Sequence, residues 1–418
     1  CIRLLSKKMS DVILYQSPLK YNFFEFSVLG SKSISQRALI INALMDSDVK
    51  INNLSQSGDT LILKKALESS NDTVNVSNSG TALRFLISFF SLKNDEFVIY
   101  GDEYLFTRPI NQLIQILNSI GANIILVNNS VIIKKGRLNG GSVYIDSIKT
   151  SQFISSLLLI SPYLKDGLTL HLPIELYSYS YIKMTLSMLS MCGACVNYSN
   201  RIIHISQGVY KKPFSSIESD WSSVSYLYLS FLFSKLEKVR ITSFSENSLQ
   251  GDCQVRDFFS LLGIITKFQD GALVLTKNEH HLQPMKVQWD FSQNPDLCPA
   301  IFVACFGLGV QLQATGVKNL QYKESNRIYS MKTELEKFNC SVDVVSEDVL
   351  LIDPRKKIGP ETLISIQTYN DHRIALAFSP LALLGFKLRI KNSNVIKKSY
   401  PNFFNDLIKF GVLIENQL

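Results

Sequence analysis

LNSIGANII (residues 117–125), LSMCGACV (189–196), LLGIITK (261–267), EKFNCSVDV (336–344) and IKFGVLI (408–414) share one grammar. Each ends an amphipathic run of helical spacing, passes through a small turn residue, and goes on as an alternating apolar stretch. That is the order helix, glycine or asparagine cap, strand. The turn residues Gly121, Gly193, Gly263, Asn339 and Gly411 recur every 70 to 76 residues. Such spacing is too regular for unrelated elements and too long for a solenoid repeat. The chain therefore reads as about six copies of one α+β unit, arranged as two domains of three. Most copies go on as a hairpin: 124–127, a turn at Asn128-Asn129-Ser130, then 131–134; and 266–268, a turn at Gln269-Asp270-Gly271, then 272–276.

Length agrees with two domains. A chain of 418 residues, 46% hydrophobic, exceeds what a single core usually organises. No Pro/Ser-rich tether interrupts it, so the boundary is expected to be a simple strand crossing. The apolar stretches 300–310 and 374–388 fall short of the ~20 residues a membrane crossing needs and are read as core helices.

Lysine and arginine number 43 against 35 acidic residues, a formal +8, which suits anionic partners. The longest basic run, Lys134-Lys135 to Arg137, is no nucleic-acid patch, so small anions are favoured over nucleic acid or a membrane surface. Seven scattered cysteines, an odd number, suit a reduced, cytoplasmic protein better than a secreted disulfide framework. Residues 1–10 carry Arg3, Lys7 and Lys8 but no apolar signal core, so no export signal is expected, and Met9 is a candidate initiator. A peptide beginning at Cys1 in the native protein would refute that start. Cys192-Gly193-Ala194-Cys195 has the spacing of a redox pair or half a zinc site. It sits on one of the recurring turns without a second pair, and is read as turn and core. The five histidines show no ligand spacing, so neither metal nor organic cofactor is expected.

Polar residues stand just ahead of several apolar helical runs. Gly30-Ser31-Lys32-Ser33-Ile34-Ser35-Gln36-Arg37 opens one, and a capping serine with solvated cations or an anion site at a helix N-terminus describes it equally. Asn78-Ser79-Gly80-Thr81-Ala82-Leu83-Arg84 repeats the design, with Gly80 allowing close approach of backbone to a ligand. Thr150-Ser151-Gln152-Phe153 and Ser219-Asp220-Trp221-Ser222-Ser223 repeat it again, which points to one shared polar cleft. Later come Asn319, Lys323-Glu324-Ser325-Asn326-Arg327, Thr368-Tyr369-Asn370-Asp371-His372-Arg373 and Lys397-Lys398-Ser399-Tyr400-Pro401. Lys323 and Arg327, four apart, are expected to share a helix face. A carboxylate among such cations is held ionised and can carry a proton once substrate charge arrives.

Eleven segments occur together and in order: GSKSISQRA (30–38), NSGTALR (78–84), TRPI (107–110), TSQF (150–153), LYSYSYI (176–182), ESDWSSVSY (218–226), NSLQGD (247–252), PD (295–296), NLQYKESNR (319–327), TYNDHR (368–373) and KSYP (398–401). In this set the chain resembles the 5-enolpyruvylshikimate-3-phosphate synthases. The resemblance implies two similar domains, each of three α+β units with helices inside and sheets outside. They would span 31–219 and 1–30 plus 220–418, joined by two strand crossings, with the active site in the cleft between them. It implies transfer of the enolpyruvyl group of phosphoenolpyruvate to the 5-hydroxyl of shikimate 3-phosphate. Shikimate 3-phosphate would be held by Lys32, Ser33, Arg37, Thr150, Ser151, Gln152, Ser178, Asp296, Asn319 and Lys323. Phosphoenolpyruvate would be held by Lys32, Gly80, Arg108, Gln152, Arg327, Arg373 and Lys398, with Asp296 and Glu324 as proton carriers and Lys32 assisting. It further implies a monomer without cofactor, closing on its anionic substrates and open to competition by glyphosate.

Departures from the pattern are Leu29, Gln36, Thr150 and Asn326. The last removes a negative charge beside Arg327 and puts that arginine's orientation in doubt. Two other readings fit the residues less well. An enolpyruvyl transferase acting on UDP-N-acetylglucosamine typically carries a reactive cysteine where this chain has GDEYLFTRP (101–109). A catalytically inactive, anion-binding descendant would be expected to lose Asp296, Glu324, Lys32 or Arg108, and all are present.

Overall fold

The computed structural model describes residues 11–19, 21–93, 95–354 and 362–417; the candidate initiator Met9 lies outside them. All five recurring turn residues have positive φ: Gly121 109°, Gly193 88°, Gly263 89°, Asn339 61° and Gly411 101°. They end the helices Asn111–Ser119, Tyr179–Met191, Val255–Ser260, Arg327–Glu336 and Phe403–Lys409. The strands Asn123–Val127, Val196–Ser199, Ile264–Gln269, Cys340–Ser346 and Val412–Gln417 follow. A left-handed residue costs most side chains about 1–2 kcal/mol and glycine nothing, so the cap is written in the residue type.

Among the described residues, five four-stranded sheets share one pairing order. Thr73–Asn75 runs parallel to Phe97–Tyr100, which pairs antiparallel with Ser130–Lys134, and that with Asn123–Val127. The order repeats with Gly141–Tyr144, Leu168–His171, Ile202–Ile205 and Val196–Ser199. It repeats with Phe23–Ser27, Lys238–Thr242, Ala272–Lys277 and Ile264–Gln269, and with Lys286–Asp290, Gln311–Thr315, Val349–Pro354 and Cys340–Ser346. The fifth sheet joins Leu363–Ile366 and Lys387–Ile390 to Asp11–Gln16 and Val412–Gln417. Outside these sheets, among the described residues, isolated bridges join Gly30 to Ser219 and Asn52 to Ser216.

Both hairpin turns are tighter than the residue pattern suggests. Ser130 and Gln269 belong to strands, leaving Asn128-Asn129 and Asp270-Gly271 as two-residue loops. Asp270 and Gly271 both have positive φ, 50° and 67°, the geometry whose twist matches that of flanking strands. The stretch 300–310 lies largely in the helix Cys298–Leu308, as expected. The stretch 374–388 is not one helix. His372–Phe378 gives way to a 3-10 turn at Ser379–Leu384 and then to a strand, because Pro380 cannot donate to the α ladder and crowds the preceding turn.

The chain divides into two compact units. The first is Leu29–Asp220 with Asn247–Gly251; the second takes the described residues of Cys1–Val28, Trp221–Glu246 and Asp252–Leu418. In each, the apolar helices are inside. Gly80–Ser91 is buried along its whole length, and so nearly are Ser151–Ile160, Trp221–Phe233 and Cys298–Leu308. A helix apolar on all sides has to be enclosed, whereas strands such as Ser130–Lys134 and Gly141–Tyr144 alternate and can cover it with one face. No helix among the described residues is long and apolar enough to cross a membrane.

In the first unit the inner helices run parallel. Arg84 bonds Gln152, and one turn on Ser88 bonds Ser156, so both partners advance together along Gly80–Ser91 and Ser151–Ile160. Residues 247–251 join this unit through Glu218, whose Oε1 accepts from Ser248 Oγ at 2.6 Å and Gln250 Nε2 at 2.8 Å.

Substituting two of the turn glycines should separate conformational strain from collision. A Cβ at Gly121 would lie 2.1 Å from the Arg137 carbonyl oxygen, while at Gly271 nothing lies within 4 Å. In urea unfolding, Gly271→Ala is expected to cost about 1 kcal/mol, and Gly121→Ala distinctly more.

Candidate active site

Each unit carries its own cluster of charged groups at helix beginnings. In the first unit, Ser31 caps Lys32–Leu44 through its hydroxyl. Lys32 opens the helix, with Nζ 3.3 Å from Asp59 Oδ2 and its backbone N–H donating to Asp220 Oδ2 at 2.9 Å. One turn on, Arg37 is buried and gives its donors to uncharged acceptors: Thr185 Oγ1 (2.7 Å), Ser155 Oγ (2.9 Å) and the carbonyls of Ser33 (2.8 Å) and Tyr181 (3.4 Å). Burial lowers its pKa to about 10. A cation buried against neutral groups is electrostatically under-compensated and favours an arriving anion.

Beside it, Ser79 caps Gly80–Ser91 and Thr150 caps Ser151–Ile160. Gln152, in the first turn of the latter, accepts from Arg84 Nη1 at 2.8 Å and donates to Thr81 Oγ1 at 3.0 Å. Arg84 also donates to the Pro109 carbonyl at 2.8 Å, which ties down the loop carrying Arg108. A Cβ on Gly80 would sit 2.7 Å from Nη1 of both Arg84 and Arg108. Two guanidinium groups thus flank the helix N-terminus that Ser79 caps, where the helix dipole adds to their charge. Ser33 and Ser151 share these first turns. Ser178, buried and left-handed at φ 59°, precedes Tyr179–Met191.

In the second unit three helix beginnings converge on Asp296 and Arg327. Asp296 stands just ahead of Cys298–Leu308 and accepts Arg327 Nη1 at 2.9 Å, Arg373 Nη2 at 2.6 Å and Lys323 Nζ at 3.5 Å. Arg327, only 1% exposed, also binds Glu324 Oε2 at 2.7 Å and Asp371 Oδ2 at 2.8 Å. Asp371 caps His372–Phe378 by accepting the Arg373 N–H. Burial alone would raise the Asp296 carboxyl, but Arg373, Lys323 and Arg327 outweigh it and hold it well below the usual range. Burial lowers the Lys323 amine. Arg327 is likewise opposed by burial, yet Asp371, Glu324 and Asp296 carry it above its ordinary value. Tyr226, buried and bonded to Arg373 Nη1, is pushed up to about 12.

Lys323 and Arg327 do not share a helix face. Lys323 lies in extended backbone after the Lys318–Tyr322 turn, which holds Asn319, and the helix begins only at Arg327. The two meet because both reach Asp296. Asn326 does not loosen Arg327. Its side chain caps the helix by accepting the Tyr329 N–H at 3.2 Å, a role asparagine fills as well as aspartate, and three carboxylates hold the guanidinium. Lys398, at the end of the Ser393–Lys398 turn, is partly exposed in the same unit. Arg84, Asp59 and Asp371 were not singled out from the residue pattern. Arg84 and Asp371 lie within quoted segments, and Asp371 had a signal of its own, an aspartate one residue ahead of an apolar helical run.

Comparison with known proteins joins this geometry to a chemistry. The sequence profile of the EPSP synthase (3-phosphoshikimate 1-carboxyvinyltransferase) family matches residues 62–407. A Bacteroides fragilis (strain YCH46) protein named 3-phosphoshikimate 1-carboxyvinyltransferase is 35% identical over 388 residues, 91% of this chain and 94% of that protein. One of the same name from Buchnera aphidicola subsp. Cinara cedri is 28% identical over 422 residues, 93% and 95% of the two chains. EPSP synthase from Acinetobacter baumannii superposes with a TM-score of 0.75 at 20% identity, over 98% of this chain and 100% of that one. The enolpyruvyl transferase NikO from Streptomyces tendae gives 0.73 at 15% identity, over 98% and 99%. The fold is shared with these solved structures, and the chain belongs to the EPSP synthase family.

Proposed function

We propose how the residues of the two units divide the reaction that this chain catalyses, the transfer of the enolpyruvyl group from phosphoenolpyruvate to shikimate 3-phosphate with release of inorganic phosphate. The observation that carries the proposal is the set of cations at helix beginnings in both units, of which Lys32, Arg327 and Arg373 are paired with carboxylates of the protein itself. Shikimate 3-phosphate is held by Lys32, Ser33, Arg37, Thr150, Ser151, Gln152, Ser178, Asp296, Asn319 and Lys323. Phosphoenolpyruvate is held by Lys32, Gly80, Arg108, Gln152, Arg327, Arg373 and Lys398. Planar arginine forks suit its carboxylate and phosphate, and lysines serve as movable charges.

Substrate charge offsets the repulsion among these cations, which favours closure around the substrates and the exclusion of water. The 5-hydroxyl oxygen then attacks C2 of phosphoenolpyruvate and loses its proton, while C3 gains one, giving a tetrahedral adduct. Loss of a C3 proton restores the double bond as the C2–O bond to phosphate breaks. Asp296 and Glu324 carry these protons, with Lys32 assisting. Asp296 is too weakly basic while three cations surround it. Substrate anions that draw off Arg327, Arg373 and Lys323 raise its basicity at the moment the hydroxyl arrives. The enzyme acts as a monomer in the cytoplasm; an odd number of scattered cysteines, seven, supports the compartment.

Phosphate release by the purified protein is expected only when both substrates are supplied together; release from phosphoenolpyruvate alone, or none from the pair, overturns the reading. Asp296→Asn is expected to lower kcat by about 10²–10⁴-fold. Gly80→Ala, by displacing Arg84 and Arg108, is expected to lower kcat/KM for phosphoenolpyruvate about ten- to hundredfold and to weaken competition by glyphosate. Asn326→Asp keeps the cap and is expected to change the phosphoenolpyruvate KM by no more than about twofold.

A further inference from the structure

The helix Arg327–Glu336 carries a second carboxylate site two turns beyond Arg327. Glu334 is fully buried, and both of its oxygens are used. Oε1 accepts the Tyr369 hydroxyl at 2.7 Å; Oε2 accepts Lys337 Nζ at 2.5 Å and the Gln367 backbone N–H at 3.2 Å. Lys337 also donates to the Ser365 carbonyl at 2.8 Å. The Tyr369 and Gln367 bonds hold the segment leading into the helix His372–Phe378, and Lys337 links Glu334 to it through the Ser365 carbonyl.

That segment is bent in an unusual way. Tyr369 and Asn370, neither of them glycine, have φ of 51° and 55° in succession. The next residue, Asp371, caps the helix and binds Arg327, and Arg373 follows. Such a pair of left-handed residues persists only where the surroundings hold it on both sides. Here Glu334 holds the near side, through Gln367 and Tyr369, and Arg327 holds the far side, through Asp371. Residues seven apart lie on one helix face, so a single helix grips the bend at two points. Asn392 adds a third by donating to Asn370 Oδ1 at 2.9 Å.

We propose that Glu334 and Tyr369 are positioning residues for phosphoenolpyruvate. Without touching substrate, they fix the left-handed bend and thereby the direction in which Arg373 and Asp371 leave it. The inference rests on the reading of Arg327 and Arg373 as phosphoenolpyruvate ligands.

The test is Tyr369→Phe in the full chain, which deletes one hydroxyl and keeps the ring. The KM for phosphoenolpyruvate is expected to rise about five- to tenfold, the worth of one hydrogen bond, while that for shikimate 3-phosphate stays within about twofold. Amide hydrogen exchange is expected to quicken in peptides covering 366–374 and not elsewhere. Glu334→Ala is expected to act in the same direction, and the double variant to raise the phosphoenolpyruvate KM no further than Glu334→Ala alone, since losing Glu334 already removes the bond that the Tyr369 hydroxyl makes to it. Parental KM and exchange in Tyr369→Phe overturn the proposal. So do equal rises in both KM values with faster exchange throughout the unit, the mark of a merely structural role. If the parent releases no phosphate the functional reading falls, and exchange still decides the clamp: quickening confined to 366–374 supports it and unchanged exchange overturns it.

Discussion

Arg327 is the buried charge on which the second unit is organised. Its guanidinium is shared by Glu324 three residues before it, Asp296 and Asp371. Replacing such a network by apolar groups often costs little stability, but removing one partner strands the others in a low-dielectric interior at about 3–5 kcal/mol. The network is therefore weak as a source of stability and strong as a constraint. Each carboxylate fixes a different helix beginning relative to one planar fork, and Asp371 does so while also serving as a cap.

The first unit solves the same problem with hydroxyl groups. Its inner helices are too apolar to face water, yet a seam of polar residues runs between them. Ser156 bonds Ser88 and the Arg84 carbonyl; Ser155 and Thr185 take Arg37; Thr185 returns to the Tyr181 carbonyl. Small hydroxyl side chains let helices approach closely and satisfy buried donors without adding net charge. Arg37 gives its donors to Thr185, Ser155 and the Ser33 and Tyr181 carbonyls, all uncharged acceptors. Arg327, by contrast, is fully countered. The first unit thus surrounds a buried guanidinium with hydroxyls and carbonyls, and the second surrounds one with carboxylates.

The strained bend at Tyr369 and Asn370 belongs to the same logic. It lies between a strand of the fifth sheet and the helix carrying Arg373, so the sheet's position is passed to that arginine through two residues. A relaxed turn would save strain and lose that direction.

Much was readable from the residues alone, for local reasons. The repeated helix, cap and strand follow from glycine's freedom at positive φ and from apolar periodicity, both confined to a few neighbouring residues. Ser31, Ser79 and Thr150 were readable as helix starts because a capping hydroxyl acts two or three residues away. The family was readable because its segments keep their order along the chain. What lay beyond reach depends on separation. Arg37 meets Ser155 and Thr185, 118 and 148 positions on, and Asp296 meets Arg373, 77 positions on. Lys323 and Arg327 looked like neighbours on one helix, whereas tertiary packing alone placed Asp296 where both could reach it. Local chemistry decides where an element begins and ends; which charges share a partner is settled only when distant elements pack, because the energy of that pairing exists only at contact distance.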